Sequence, residues 1–506
     1  MVWDKGACRL GSISSAPTKK WCGTREDLAR VRVSASRQIK SIRVRACPVV
    51  SCAVLLGKTE FPPKADQPLA DNSLHSDIMS TSKKALYVVF LTIFVDVMGF
   101  GILIPIIPIL LADPTSPYFI LKPGTSLGYG YIMLGFLTAI FPLMQFIAAP
   151  ILGQLSDRYG RRKILAISLS GTCFSYALFA FGIVIQNIPI LFISRALDGI
   201  TGGVISTAQA VVADTSDHQN RVKSFGFLGA AFGLGFILGP LLGGKLSDNT
   251  LVSWFNATTP FWFAAALSFI NVMSVIFFLP ETFSNNQIHK KIIWKQSLYN
   301  LGRAYAHKNL RTLFLSIFLF SAGFTFFTAF VSVFLINRFH YTQSNIGDFF
   351  GWIGVCSILS QVFIVGRLAK KISESVILRF SFLGAGLTMM LIFLATERWL
   401  LFSISALQVI FVSLTNNNST SLISKSAGPN IQGEILGINV SVQALAQFIP
   451  PVLSGFIATL LTPGAPVLVA SIFIIIAGLV FIFYYRPKKQ EGACLIDPTR
   501  CEGQWL

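Results

Sequence analysis

Two long apolar runs of the sequence are interrupted by ionisable residues well away from their ends. Asp96 interrupts the run 85–111, and Arg195 and Asp198 interrupt the run 189–213. A charged side chain within a membrane-length apolar segment is costly and is therefore a functional hypothesis by default. A carboxyl group at that depth can take up and release a proton. Three-residue spacing places Arg195 and Asp198 on one helical face, where their charges can partly neutralise each other. The alternative is that these charges are paired only for helix assembly.

A short basic segment, 153–165, separates two further apolar runs, 128–152 and 164–185, and reads GQLSDRYGRRKIL. Gly160 permits the positive φ that a tight reversal between antiparallel helices requires. The acid and the basic residues can pair across this turn, and so basic a loop is expected on the cytoplasmic side of a membrane. It is either a retention loop of any polytopic protein or a latch that closes one face of a transporter. Its candidate gating residues are Gly153, Asp157, Arg158, Gly160, Arg161 and Arg162.

The composition is that of a polytopic membrane protein. The chain has 506 residues, of which 53% are hydrophobic and 12% charged, whereas a soluble domain carries about 25% charged residues. The net charge of +19 does not imply nucleic acid, because the positive charges gather near the N-terminus and in alternate loops, as membrane topology requires. The eight cysteines have no metal-ligand spacing, and no metal or other cofactor is expected.

Hydropathy predicts an all-α membrane protein with twelve spans. The segment starting at Gly366, GRLAKKISESVIL, is a weaker copy of the basic segment 213 positions earlier, and Pro451 lies 211 positions after Pro240. Two copies at nearly one offset predict two pseudo-symmetric six-helix bundles. The predicted spans are 85–111, 128–155, 164–185, 189–213, 222–247, 261–279, 312–337, 343–366, 376–396, 399–424, 433–461 and 465–485.

The predicted organisation has five parts. Residues 1–80 form a basic leader expected to be disordered, either a transit peptide or a mis-assigned start ahead of translation from Met79, which is the favoured reading. The N-terminal bundle takes 81–280 and the C-terminal bundle 312–486. Residues 281–311 form a basic amphipathic linker on the cytoplasmic leaflet, and 487–506 a cytoplasmic tail. Both termini are placed in the cytoplasm, in a bacterial inner membrane or alternatively an organelle envelope.

Span 5 carries a glycine stripe. Gly at four-residue intervals forms a groove that lets another helix approach closely, and a proline removes one backbone donor and permits a bend. By itself such a stripe indicates packing more often than mechanism. Its candidate functional residues are Gly235, Gly239, Pro240 and Gly243.

From residue 83 to residue 486 the chain resembles the twelve-helix drug/proton antiporters of the major facilitator superfamily, and within them the tetracycline-efflux type. The resemblance implies alternating access between two bundles, proton coupling, and an arginine that biases protonation of a nearby acid. The span-5 ending resembles the antiporter motif and favours export. The resemblance is carried by residues 95–101 with Pro105 and Pro108, 153–165, Arg195 with 199–202, 239–240 and 432–433.

The sequence departs from the tetracycline type at two positions. There, acids in spans 1, 3 and 9 handle the proton and the metal-bound drug. Asp96 keeps the first, but Ser175 and Ala385 stand at the other two, which weighs against a tetracycline–magnesium substrate. Asp348 and Asp198 are acids that could take over, and the alternative for Asp348, which lies near a span end, is that it simply faces water.

The sequence therefore predicts a transporter and not an enzyme, since no serine–histidine pair or histidine cluster is present. Proton-coupled efflux of drug-like, amphipathic molecules is favoured, and the alternative is an importer or uniporter of a small metabolite. Expected partners are a small-molecule substrate, protons and the lipid bilayer, without nucleic acid, and a monomer is expected. Gln145 joins Asp96, Arg195 and Asp198 as the candidate proton and substrate site. Other neutral groups expected in the cavity are Gln209, Asn271, Gln361, Asn416, Asn417, Asn418, Gln443 and Gln447.

Overall fold

The computed structural model describes residues 72–215, 221–282, 293, 296–306, 310–426 and 432–486. The chain divides into two compact units, Met1–His75 and Ser76–Leu506. Nearly all of the first unit lies outside the described residues, so the second unit is the one whose architecture follows.

The regular structure in these ranges is helical. The α-helices are α1 (Asn72–Leu111), α2 (Leu127–Tyr159), α3 (Arg161–Val184), α4 (Ile188–Thr201), α5 (Val204–Thr215), α6 (Arg221–Leu246), α7 (Thr259–Phe278), α8 (Gln296–Ala306), α9 (Arg311–Phe339), α10 (Gln343–Ser360), α11 (Gly366–Lys371), α12 (Glu374–Leu394), α13 (Arg398–Ser426), α14 (Gln432–Leu460) and α15 (Ala465–Tyr484). A π-helical turn, Gln361–Val365, joins α10 to α11.

Twelve helical segments among the described residues are long and apolar enough to cross a membrane, which confirms the predicted fold. Two of these spans are composite. The fourth consists of α4 and α5, interrupted at Gly202 and Gly203, and the eighth of α10, the π-helical turn and α11. Breaks of this kind occur where a neighbouring group satisfies the freed backbone.

Aromatic and aliphatic side chains pack inside both six-helix bundles, and one cluster continues from the first bundle into α9 and α14 of the second. In the first, the rings of Phe179 and Phe261 lie 4.5 Å apart between α3 and α7. In the second, the rings of Phe382 and Phe481 lie 5.6 Å apart between α12 and α15. Lipid tails are as apolar as these side chains, so their contribution inside a bilayer is close packing rather than removal from water.

The bundles have two distinct ends. We call the end that carries Arg158, Arg161, Lys370 and Lys371 the basic end, and the end that carries the connection 112–126 the opposite end. At the opposite end α2 lies against α14 and α6 against α10. The contacts there are so close that a Cβ added at Gly135 would lie 2.4 Å from the Pro451 carbonyl oxygen, and one at Gly244 would lie 2.3 Å from that of Gln343. Thr459 donates to the Gly128 carbonyl (2.9 Å), and Lys245 pairs with Asp348 (2.8 Å).

Several boundaries differ from the sequence expectation. Helix α1 begins at Asn72, inside the segment 1–80 predicted to be a disordered leader, because the helix continues ahead of its apolar part. The reversal in the basic segment is also shorter than expected, since α2 runs to Tyr159 and α3 starts at Arg161. Within the predicted linker 281–311, the structure describes the helix α8. Residues 1–71, 283–292 and 487–506 lie outside the described residues, and the predicted domain boundaries stay predictions.

Candidate functional site

A cavity of about 290 Å³ lies between the two bundles. Helices α1, α2, α4, α5 and α6 supply one side, and α9 and α14 supply the other. Its wall is largely aromatic and aliphatic, as in ligand sites that hold amphipathic molecules. The polar side chains in that wall belong to Asp96, Thr138, Gln145, Arg195, Thr325, Thr328 and Gln447.

Asp96 presents the cavity with a carboxyl group from the middle of α1. The residue is 7% exposed. Within the described part of the chain its carboxylate has no hydrogen-bond or ion-pair partner, although the charges of Arg195 and Asp198 act on it from nearby. The exposed part of this group therefore faces the cavity and not the lipid.

Arg195 and Asp198 form an ion pair within α4. Their Nη1 and Oδ2 atoms are 2.5 Å apart, and the residues are 3% and 2% exposed. The guanidinium group also lies over the Phe141 ring, 4.5 Å from its centroid, a cation–π contact that strengthens when desolvated. Arg195 reaches the cavity wall, whereas Asp198 lies behind it.

The local sequence fixes where α4 starts and therefore which way this pair faces. The Asn187 side chain caps the helix by accepting from the Ile190 backbone N–H (3.2 Å), a strong N-cap arrangement. Pro189 follows at the first helical positions, where its missing N–H has no cost.

Gln145 braces the break in the fourth span. Its Nε2 donates to the Gly202 carbonyl at 2.9 Å, a carbonyl at the interruption between α4 and α5. The side chain thus satisfies a backbone group at membrane depth, where an unsatisfied one would cost several kcal/mol. Because Gln145 also lines the cavity, a ligand bound there would contact the same side chain that supports the helix break.

Tyr176 is a buried neighbour of the charged site residues and was not among the predicted site residues. A Cβ added at Gly99 would lie 1.9 Å from its hydroxyl oxygen, so Tyr176 on α3 occupies the space beside α1 three residues after Asp96. It is buried and in electrostatic range of Asp96, Asp198 and Arg195. The available signal was its position directly after Ser175.

The glycine stripe of α6 packs along the helix that carries Asp96. Added Cβ atoms at Gly235, Gly239 and Gly243 would lie 2.8, 2.5 and 2.6 Å from successive carbonyl oxygens of α1. Those carbonyls belong to Phe94, Met98 and Ile102, which share the same four-residue spacing. Pro240 lies against Gly101 in the same contact.

The basic segment forms an ion network around its single turn residue. Gly160 has φ 102°, and a Cβ there would lie 2.5 Å from Glu281 Oε2. Arg161 pairs with Asp157 (2.5 Å) and Asp214 (3.2 Å), and its backbone N–H donates to Glu281 Oε1 (2.8 Å). The pairing with Asp157 across the turn was predicted, whereas Asp214 and Glu281 were not.

The other predicted residues of this segment contribute in different ways. Arg162 donates to the Ile276 carbonyl oxygen. Arg158 is exposed and lies over the Tyr159 ring, 5.3 Å from its centroid. Gly153 is half-buried, and a Cβ there would meet only Ser206 Oγ, at 3.8 Å.

Not every predicted polar residue reaches the central cavity. Asp348 lies at the opposite end with Lys245, so it does not replace the acid missing from span 9. Asn271 is buried and accepts from Thr92 (3.2 Å), and Gln361 accepts from Asn417 (3.1 Å). The predicted residues Asn416 and Gln443 line a second cavity, and Gln145 and Gln447 line the central one.

Comparisons with known proteins place this geometry in a family. The model of the Major Facilitator Superfamily matches residues 89–451 and again 313–495. The class B tetracycline resistance protein of Escherichia coli is 32% identical over 328 residues, covering 64% of this chain and 75% of that protein. Multidrug resistance protein 2 of Bacillus subtilis is 27% identical over 423 residues, covering 82% and 98%.

Solved structures share the fold. The human organic anion transporter MFSD10 is 24% identical with a TM-score of 0.61, covering 79% of this chain and 99% of that one. A D-xylose–proton symporter is 15% identical with a TM-score of 0.63, covering 80% and 98%. With twelve apolar helices among the described residues, in two bundles around a cavity, the chain belongs to the major facilitator superfamily and is a multi-pass membrane transporter of small molecules.

Proposed function

We propose that this transporter is a proton-coupled exporter of amphipathic small molecules, with Asp96 as the group that carries the proton. The observation that supports it most directly is a carboxyl group at membrane depth that faces a cavity shared by both bundles. Such a group is costly to keep unless it has a function. Its neighbour Arg195 is held by Asp198 and Phe141 rather than by Asp96.

Proton transport and substrate transport are coupled if the charge of Asp96 depends on which side of the membrane the cavity is open to, and the reverse. A ligand can shift a two-state equilibrium only by its differential affinity for the two states. A proton and a substrate that compete for the space beside Asp96 each favour a different state. Exchange of one for the other then accompanies each change of access.

The cavity wall limits the substrate class. Phe100, Phe141, Phe232, Phe236 and Phe324 surround a single acid with a few amide and hydroxyl groups. This lining suits a bulky amphipathic molecule that is neutral or cationic, because aromatic faces and a carboxylate both attract cations. The resistance proteins of tetracycline, quinolone and multidrug type among the relatives support export rather than import.

We also propose that the basic end faces the cytoplasm of a bacterial cell. Lys and Arg are retained on the cytoplasmic side of membranes, and the basic end carries Arg158, Arg161, Lys163, Lys370 and Lys371. The opposite end, where the bundles contact each other, would then close the path to the outside. An importer on the same fold would use the same geometry and the same inward proton gradient, but would carry its substrate in the direction of the proton.

The test is accumulation of tetracycline and of tetraphenylphosphonium in everted vesicles with an acidic lumen. The unchanged chain should accumulate at least one probe while the gradient lasts. Asp96→Asn should abolish gradient-driven accumulation, because an amide cannot exchange the proton. Asp113→Asn is the matched control, since the Asp113 carboxylate lies in the connection 112–126, away from the cavity, and accepts from the Thr115 N–H and hydroxyl; this variant should behave like the unchanged chain.

The outcomes separate the parts of this proposal. Accumulation that ignores the gradient would refute proton coupling. Undiminished accumulation by Asp96→Asn would refute the proton site. Accumulation only in right-side-out vesicles with acid outside would establish an importer.

A further inference from the structure

A second cavity, of about 250 Å³, lies within the C-terminal bundle between α9, α13 and α14. None of its lining side chains carries a charge, and most carry an amide or a hydroxyl group. Apolar walls complete it. The polar lining residues are Ser321, Asn416, Ser419, Thr420, Asn439 and Gln443, and the apolar ones are Ile317, Phe320 and Ile423.

Two helices, α9 and α14, contribute side chains to both the second cavity and the central cavity. On α14, Gln443 lines the second cavity and Gln447 the central one. On α9, Ser321 lines the second and Thr325 the central one, and Thr325 Oγ1 donates to the Ser321 carbonyl (2.8 Å). Four residues of helix rise about 6 Å, so both helices place the two cavities one turn apart.

Asn439 gives the wall of the second cavity a buried side chain with an unpaired hydrogen-bond acceptor. The residue is 6% exposed, and its Oδ1 has no hydrogen-bond partner among the described residues. A buried acceptor without a partner costs about 1–3 kcal/mol. Because Asn439 lines the cavity, a rotation of its amide would turn this acceptor towards a donor brought by a bound molecule. Because an amide carries donors and an acceptor, the same argument holds if the amide is turned over.

We propose that this cavity is a binding subsite for the uncharged, hydroxyl- or carboxamide-bearing part of the transported molecule. The proposal rests on the proposed function and adds to it that the substrate has two parts. The apolar or cationic part lies beside Asp96, and the hydrogen-bonding part lies one helical turn away, against Asn439 and Gln443. A charged group is disfavoured there because no opposite charge compensates its desolvation.

Ordered water is the competing occupant. Polar cavities of this size hold water, and a water can bridge otherwise unpaired buried groups. A water-filled cavity that never receives substrate would make Asn439 a structural residue. The experiment therefore has to separate loss of a ligand contact from loss of structure.

The probe is tetracycline without added magnesium, because it combines an apolar ring system with several hydroxyl groups and a carboxamide. Its affinity for the purified full chain in lipid nanodiscs is measured at equilibrium, without a proton gradient. Asn439→Ala and, as a second variant, Gln443→Ala should each weaken binding about tenfold, the equivalent of about 1.4 kcal/mol for a lost hydrogen bond. Asn417→Ala is the matched control, since that amide on α13 bonds to Gln361 and lines neither cavity.

A second measurement does not depend on side-chain truncation. Gln443→Cys should react with N-ethylmaleimide faster than the parent chain does, and tetracycline should protect it. The proposal is overturned if the unchanged chain does not bind tetracycline, if both alanine variants bind like Asn417→Ala, or if the cysteine is labelled equally with and without tetracycline. Failure of the proton-coupled function is a separate result, because it would abolish gradient-driven accumulation while leaving equilibrium binding and its dependence on Asn439 intact.

Discussion

At the scale of single residues, the site is defined by which charge is paired and which is not. Asp198 and the Phe141 ring hold the Arg195 guanidinium on its own side of the cavity. Asp96 is left without an ion-pair partner in the described part of the chain and free to meet a proton or a cation. An arrangement in which Arg195 paired with Asp96 would remove that freedom. Besides its direct electrostatic effect on Asp96, Asp198 therefore also acts on it indirectly, by determining where Arg195 lies.

This arrangement makes the cost of removing Arg195 depend on Asp198. Removing one partner of a buried ion pair leaves an uncompensated charge and costs about 3–5 kcal/mol, whereas replacing both partners by apolar residues is often neutral. We expect Arg195→Met to lower the melting temperature in detergent strongly, and Arg195→Met with Asp198→Leu to recover most of the loss. Melting curves of the single and double variants test this. Losses that simply add would contradict it, since coupled neighbours deviate from additivity.

At the scale of elements, the two bundles repeat an ion pair with its charges exchanged. In the first bundle Arg161, at the start of α3, pairs with Asp214 at the end of α5. In the second, Glu374 at the start of α12 pairs with Lys425 at the end of α13. Glu374 lies 213 positions after Arg161, the same offset that separates the two copies of the basic segment. The duplication thus preserved the position of the contact and not the sign of its charges.

The α6–α1 contact provides an element-scale test with a control on the same helix. Gly239→Ala would place a Cβ 2.5 Å from the Met98 carbonyl oxygen, a backbone atom that can move only with α1, whereas at Gly233 an added Cβ meets nothing within 4 Å. Overpacking of a close contact typically costs about 1–3 kcal/mol. We therefore expect Gly239→Ala to lower the melting temperature and transport, and Gly233→Ala to change neither. Equal behaviour of the two variants would mean that the glycine stripe is not a packing surface.

At the scale of the whole molecule, hydropathy was sufficient to predict the twelve membrane-length helices found among the described residues. Charge spacing was sufficient to predict the Asp157–Arg161 pair. Both signals are local in sequence. The partners Asp214 and Glu281 lie 53 and 120 positions from Arg161, and nothing local indicates them. Helical periodicity groups Gln443 with Gln447 on one face of α14, but it cannot show that different helices close two separate cavities around them. Asp348 lies near the start of its span, as the predicted bounds 343–366 already placed it, and its exposed side chain pairs with Lys245.

Contacts between the two bundles at the opposite end indicate that this structure represents the state in which that end is closed. Lys245 on α6 donates to Ser344 (3.0 Å) as well as pairing with Asp348 on α10 (2.8 Å), and these side chains connect the two bundles. Their relative exposures are 34% for Lys245 and 51% for Asp348. A pair this exposed is worth up to about 1 kcal/mol, which changes a two-state population about fivefold. That is enough to measure in a transporter whose states are close in free energy.

Charge reversal should therefore shift the equilibrium towards a state that is open at the opposite end. Asp348→Lys replaces attraction by repulsion, and adding Lys245→Asp restores attraction with the charges exchanged. Spin labels on cysteines introduced at Trp254 and Trp399, both exposed at this end, report the separation of the bundles by pulsed electron resonance. The single variant should enlarge the long-distance population, and the exchanged pair should return it to that of the unchanged chain. Identical distance distributions in all three proteins would show that glycine-mediated packing, as at Gly135 and Gly244, holds this end closed without help from the ion pair.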